Sequence, residues 1–315
     1  MENSCRHEEI SHDWKDYGLS TLRNMGSSCY INSAFQCIAH TIPLVEYLLK
    51  IPSSSLVGHP VINHFIQLLK GFWNGNWTIT PKSFTTTMEN HVPHLNPYSQ
   101  EDSSECIMFL LDLLNETLST LSLPYSQVSI IRREIVSDLF QGSYQRETQC
   151  GSCMSRTHIF TPFMCIELPV NTQLTGSFDI FSEVERLTEY HCESCQIKGD
   201  ATTQLELWKL PEILVVILKR FTISPEGYIS KDSRSILIET NLQLTQKSDG
   251  RVTNYQLYAI NCHVGTAEQG HYYSIVLNTD DRWWLFNDEK RSSVKDERLS
   301  GIIRSTAYVL FFKRS

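Results

Sequence analysis

Asn24-Met25-Gly26-Ser27-Ser28-Cys29-Tyr30-Ile31-Asn32-Ser33 joins a glycine turn to the start of a helix. Beyond Cys29, Ile31, Ala34, Phe35, Ile38 and Ala39 recur at helical spacing up to Pro43, which predicts a buried amphipathic helix that begins at Cys29. A thiol at a helix N-terminus faces unpaired N–H groups and the positive end of the helix dipole, and both favour the thiolate. Asn24 carries an amide on the preceding loop, where a donor can meet a developing oxyanion. Taken alone, Cys29 reads better as a buried structural thiol. Other residues have to decide.

Those residues lie far along the chain. Tyr255-Gln256-Leu257-Tyr258-Ala259-Ile260 alternates as a strand, and His263-Val264-Gly265 is answered by Gly270-His271-Tyr272-Tyr273. The two glycines bracket a hairpin loop, so His271 opens the returning strand, a rigid place for a general base. Phe286-Asn287-Asp288 ends another strand-like run. An amide or carboxylate there can accept a hydrogen bond from the imidazole and fix its tautomer. Each also has a plain alternative: a satisfied core histidine, and an ordinary turn pair.

A second helix is expected from about Asp102, with Ile107, Leu110, Leu111 and Leu114 on one stripe and Asp102 with Glu105 as an acidic capping box. From Asp138 the texture turns to strands: Gly142 to Thr148, Phe160 to Val170 and Ile213 to Phe221. Helices early and strands late give an α+β fold. Between them stand Cys150-Gly151-Ser152-Cys153 and Cys192-Glu193-Ser194-Cys195, the ligand arrangement of a closed four-cysteine zinc ribbon. Four thiolates leave no open position, so one structural zinc and no catalytic cofactor are expected.

The bulk composition agrees with a globular protein: 315 residues, 41% hydrophobic, 20% charged, with a net charge of -8. The acidic balance disfavours nucleic acid and suits a basic partner. Met1 to Trp14 is polar, so neither a signal peptide nor a membrane span is expected there, and the ten cysteines fit reduced thiols. A cytoplasmic or nuclear location and a monomer are the corresponding expectations.

Together these segments resemble the ubiquitin-specific protease family. The cysteine box is Gly18-Leu19 with Asn24 to Ser33, and the second box is Gln100-Glu101-Asp102-Ser103-Ser104-Glu105. Leu139-Phe140-Gln141-Gly142 precedes the first cysteine pair, and Leu210-Pro211 leads to Leu218-Lys219-Arg220-Phe221 after the second. The histidine box and the closing Ala307-Tyr308-Val309-Leu310-Phe311-Phe312 complete the order. The chain departs from the family pattern at Ser28, where threonine is commoner, at Cys106, where an aromatic or leucine is expected, at Glu239, often a proline, and at Arg291, usually apolar.

The resemblance implies a short N-terminal extension over 1–16 and a catalytic domain over 17–315, with a helical thumb near 18–130, zinc-bearing β fingers near 136–205 and a β-rich palm. It implies a cysteine-dependent deubiquitinase acting on ubiquitin and ubiquitinated proteins. Cys29 corresponds to the nucleophile, His271 to the base, Asn287 to the orienting third member with Asp288 assisting or replacing it, and Asn24 to an oxyanion donor. Asp102, Glu105, Gly265, Gly270 and Tyr272 correspond to the tail-binding positions. The alternatives are a protease for another ubiquitin-like modifier and a catalytically silent ubiquitin-binding scaffold.

Overall fold

The computed structural model describes residues 17–93, 95, 99–121 and 134–315; the expected extension over 1–16 lies outside the described residues. The first part of the chain is helical: β1 (Thr21–Leu22), α1 (Cys29–Ala39), α2 (Ile42–Leu48), α3 (Pro60–Trp73), β2 (Thr78–Ile79), α4 (Lys82–His91), α5 (Ser103–Thr120) and α6 (Ile135–Phe140). A four-stranded sheet follows from β3 (Gly142–Cys150) and β4 (Arg156–Phe163), and the chain then runs through β5 (Cys165–Leu168) and α7 (Leu174–Phe181) before returning with β6 (Glu185–His191) and β7 (Lys198–Lys209). The remainder is β8 (Ile213–Leu218), β9 (Phe221–Ile223), β10 (Ile229–Lys231), β11 (Asn241–Thr245), β12 (Val252–Gly265), β13 (Gly270–Leu277), β14 (Trp283–Asn287), β15 (Lys290–Val294), α8 (Asp296–Ile303) and β16 (Ala307–Arg314).

The large sheet has the order β15-β14-β13-β12-β16-β8-β5, with β11 also paired to β12; the smaller sheet has the order β4-β3-β7-β6. Both faces of the large sheet are covered at its central strands. Ile213, Val215 and Ile217 of β8 join the core under the helices, whereas Leu214, Val216 and Leu218 join a second core with Leu174, Phe178, Leu299 and Ile303 of α7 and α8. A strand covered on both sides is apolar at successive positions, and for that reason β8 reads as an unbroken run. The same covering changes the reading of β12. Its expected alternation from Tyr255 to Ile260 gives way to continuous burial from Leu257 to His263.

Two expected strands are divided. The run from Phe160 to Val170 breaks at Met164, because β4 belongs to the small sheet while β5 pairs in parallel with β8 in the large one. Residues 165–181 therefore leave the four-stranded sheet, which is built from 142–163 and 185–209. The run from Ile213 likewise ends at Leu218, and Phe221 starts a separate two-stranded hairpin with β10.

Helix α1 begins at Cys29 as expected, yet all of its residues are buried. It lies between α5 and strands β12, β13 and β14. Its polar side is engaged by protein groups rather than solvent: Gln36 Nε2 donates to Ser20 O at 3.1 Å, and Asn261 Nδ2 donates to Ser33 Oγ at 2.8 Å and to Ser103 Oγ at 2.7 Å. Most buried polar groups in such a place find partners, although Gln36 Oε1 and Asn261 Oδ1 have none. The helix that carries the thiol is thereby fixed to both layers.

The departures at Glu239 and Arg291 have local causes. Glu239 accepts from Thr175 Oγ1 at 2.9 Å and, at 3.2 Å, shares the Leu174 N–H with the Leu237 carbonyl, so its carboxylate sits at the positive N-terminus of α7. Arg291 stands exposed on β15 and donates to the carbonyls of Leu19 and Asn76. Cys106 packs wholly inside the helical core, where burial pushes its thiol pKa up.

Candidate active site and cysteine cluster

Cys29 occupies the first turn of α1 and is 6% exposed. Across from it, His271 sits at the second residue of β13 and hydrogen-bonds to Cys29. Its Nε2 also lies 2.7 Å from Asn287 Oδ1, at the end of β14. An amide oxygen only accepts, so this contact places a proton on Nε2. The bond to Cys29, the bond to Asn287 and the charges of Cys29 and Asp288 together outweigh burial and raise the imidazole pKa from 6.5 to about 9. The sequence expectation of a thiol, an imidazole and an orienting group thus corresponds to three side chains that meet.

Asp288 has a different task from Asn287. It lies 3.9 Å from His271 Nε2, beyond a direct bond, while its Oδ2 accepts from Asn24 Nδ2 at 2.9 Å and its Oδ1 from Asn32 Nδ2 at 2.8 Å. Its φ of +49° at the turn between β14 and β15 is one that aspartate tolerates. Asn24 Oδ1 in turn accepts from the N–H groups of Gly26 at 3.0 Å and Ser28 at 3.1 Å. One amide therefore shapes the loop with its oxygen and is oriented by Asp288 through its nitrogen. The Ser28 hydroxyl accepts from Met25 N at 2.8 Å, a bond for which serine suffices. The role of Asn32 within the cysteine box was not legible, because its partner lies in a turn near the other end of the chain.

Of the expected tail-binding residues, Asp102, Glu105 and Tyr272 line one groove, while Gly265 and Gly270 are not part of its lining. A cavity of about 460 Å³ is bounded by Gln100, Glu101, Asp102 and Glu105 on one side, by Phe221 and Ile229 on another, and by His263 and Tyr272. Asp102 caps α5 through Oδ1, which accepts from Ser104 N at 2.7 Å, and its Oδ2 accepts from Tyr308 OH at 2.7 Å. Capping and groove lining are thus combined in one carboxylate. Glu105 is exposed in the first turn of α5, and Tyr272 is buried and takes a hydrogen bond from the Ser103 backbone. Gly265 and Gly270 pair at the mouth of the β12–β13 hairpin. A Cβ at Gly270 would stand 2.0 Å from His263 Nε2, and at Gly265, with φ +95°, 2.4 Å from Gln269 O. No other residue fits either place.

The four cysteines sit at two adjacent hairpin turns, one between β3 and β4 and one between β6 and β7, brought together by the β3–β7 pairing. Their sulfurs all lie within 4.8 Å of one another, with Cys150 to Cys195 at 3.9 Å and Cys153 to Cys192 at 3.7 Å. A tetrahedral zinc with Zn–S bonds of about 2.3 Å requires sulfur–sulfur edges of about 3.8 Å. The residues fit the ion. Ser155 Oγ stands 3.1 Å from Cys153 Sγ and 3.4 Å from Cys192 Sγ, a hydroxyl placed to orient two thiolates. Purified protein should therefore carry one zinc per chain, and chelation should lower Tm by about 5 °C or more. Metal analysis with a thermal melt checks this; a zinc-free protein indifferent to Cys150→Ser and Cys192→Ser would contradict it.

Comparison with known proteins agrees with this arrangement. The family model for ubiquitin carboxyl-terminal hydrolase matches residues 20–312. Ubiquitin carboxyl-terminal hydrolase Usp2 of Drosophila melanogaster is 28% identical over 97% of this chain and 36% of its own length, and ubiquitin carboxyl-terminal hydrolase 8 of Saccharomyces cerevisiae is 28% identical over 94% of this chain and 70% of its own. The chain spans only about a third to two thirds of the first few relatives it matches. Among solved structures, the SAGA deubiquitinating module with Ubp8 bound to monoubiquitin superposes with a TM-score of 0.82 at 26% identity, covering 99% of this chain and 72% of that one. The same module bound to ubiquitin aldehyde gives 0.79 at 25% identity, covering 96% and 71%. With the cysteine box, histidine box and four-cysteine cluster in this order and geometry, the chain belongs to the ubiquitin carboxyl-terminal hydrolase family.

Proposed function

We propose that this chain is a thiol-dependent deubiquitinase that hydrolyses the isopeptide or peptide bond after the C-terminal glycine of ubiquitin. The observation that carries this reading is the meeting of Cys29, at the start of a helix, with a His271 oriented by Asn287. The thiolate attacks the carbonyl and His271 protonates the leaving amine, which leaves an acyl-thioester on Cys29; water, deprotonated by His271, then releases the acid. Asn24 and the backbone N–H near Cys29 stabilise the oxyanion, each good donor being worth about 3 kcal/mol. Asp288 keeps Asn24 turned for that task.

In this reading the helical layer, the four-stranded sheet and the large sheet act as thumb, fingers and palm, and the tail enters along the groove at Asp102, Glu105 and Tyr272. Its acidic side suits a basic tail. Ubiquitin and ubiquitinated proteins are the proposed partners of a monomeric enzyme. The free state of the cysteines among the described residues suits the reducing cytoplasm or nucleus, and among those residues no helix is long and apolar enough to cross a membrane. A ubiquitin probe with a C-terminal electrophile should label the wild-type protein at Cys29. Binding without labelling would replace the enzyme by a scaffold, and preferential labelling by a different modifier's probe would change the substrate.

A further inference from the structure

Gln100 precedes α5 on the helical side of the groove, and its side-chain amide meets Gly270 twice. Nε2 donates to the Gly270 carbonyl at 3.2 Å, and Oε1 accepts the Gly270 N–H at 3.1 Å. The amide gives this residue both of the bonds that a neighbouring strand would give it. Gly270 has little freedom on its other side, because it pairs with Gly265 and a Cβ on it would stand 2.0 Å from Nε2 of the buried His263 ring. The opposite strand of the hairpin is itself held: Lys231 Nζ donates to the His263 carbonyl at 2.8 Å and to the Gly265 carbonyl at 3.2 Å. Gly270 is thus fixed from both sides of the groove, and the next residue is His271.

An exposed glutamine that makes two bonds in water adds little to stability, since its lost rotamer freedom offsets much of their worth. Its effect lies in geometry. Misplacing a catalytic group by about 1 Å costs about 100-fold in rate, and His271 must reach Cys29 and Asn287 at once.

We propose that Gln100 is a positioning residue for His271: its bridge to Gly270 fixes where β13 begins and ties the β12–β13 hairpin across the rim of the groove that takes the tail. The proposal rests on the deubiquitinase reading. The test uses the whole protein and ubiquitin bearing a fluorogenic C-terminal amide. Gln100→Met keeps the length of the side chain and loses both bonds; Gln100→Glu accepts the Gly270 N–H but cannot donate to its carbonyl. Gln100→Met should lower kcat about tenfold, Gln100→Glu should fall between it and wild type, and Tm should stay close to wild type in both. A Gln100→Met enzyme with wild-type kcat, a loss confined to KM, or a loss matched by a fall in Tm would overturn the proposal. A wild-type protein inactive in the same assay would instead overturn the deubiquitinase reading.

Discussion

Cys29→Ala is expected to abolish hydrolysis of ubiquitin amides, with a fall in kcat of about 10⁶-fold, the size seen when a catalytic nucleophile is removed, while ubiquitin binding persists. The thiol is the group at the start of α1 that faces His271, and the loop before the helix does not depend on it, since its side chain has no part in the bonds of Asn24 and Ser28. The same substitution should move His271. Its bond to Cys29 is the largest cause of its raised pKa, so the imidazole midpoint, followed by NMR, should drop from about 9 towards 6.5 in the variant. The sign for stability follows from linkage. A histidine whose folded pKa lies above its unfolded value contributes stability that is complete below about 6.5 and disappears as pH rises through about 9. That contribution should be smaller in the variant. Asn287→Ala keeps the nucleophile and the base but frees the ring, and should cost about 100-fold. An unchanged midpoint in Cys29→Ala would show that the imidazole answers to another group.

Arg220→Met is expected to lower stability by about 3–5 kcal/mol, the largest single effect outside the catalytic thiol and the cysteine cluster. Arg220 is fully buried, and its guanidinium is met by backbone carbonyls: Nε donates to Ala307 O at 2.6 Å, Nη1 to Asp232 O at 2.9 Å and Arg234 O at 3.0 Å, and Nη2 to Arg304 O at 3.2 Å. The Asp232 carboxylate is occupied by Arg234 instead. Burial lowers the guanidinium pKa, but at this basicity the cation persists, compensated by dipoles that point at it. Methionine fills similar space and leaves those carbonyls facing an apolar side chain. Urea unfolding measures the loss. Arg220→Lys should recover only a small part of it, because one ammonium cannot reach carbonyls spread around a planar fork; full recovery would mean that charge alone matters there.

What was legible in the sequence was local chemistry. The helix beginning at Cys29, the cap at Asp102, the glycine-flanked entry to His271 and the paired cysteines each depend on residues within a few positions of one another, and each is found in place. What was not legible depends on segments that meet only in the fold. The complete burial of α1 comes from β12, β13 and β14, supplied by the far end of the chain. The separate duties of Asn287 and Asp288 are set by which strand end faces His271 and which turn faces Asn24 and Asn32. The division at Met164 follows from which sheet each half joins, and an apolar run cannot tell one sheet from another. Arg220 stood in the motif as one letter of pattern; its cage of four carbonyls is assembled from two distant stretches of backbone, 232–234 and 304–307.

The last strand, β16, lies in the interior of the large sheet, hydrogen-bonded to β12 on one side and β8 on the other. During synthesis, β8 and β12 therefore leave the ribosome before the strand that joins them exists. Until residue 314 is free of the exit tunnel, the half of the site bearing His271 has no finished sheet beneath it, and the two open strand edges are exposed to any other extended chain. A chaperone that shields those edges would act between the emergence of Ile260 and that of Phe312.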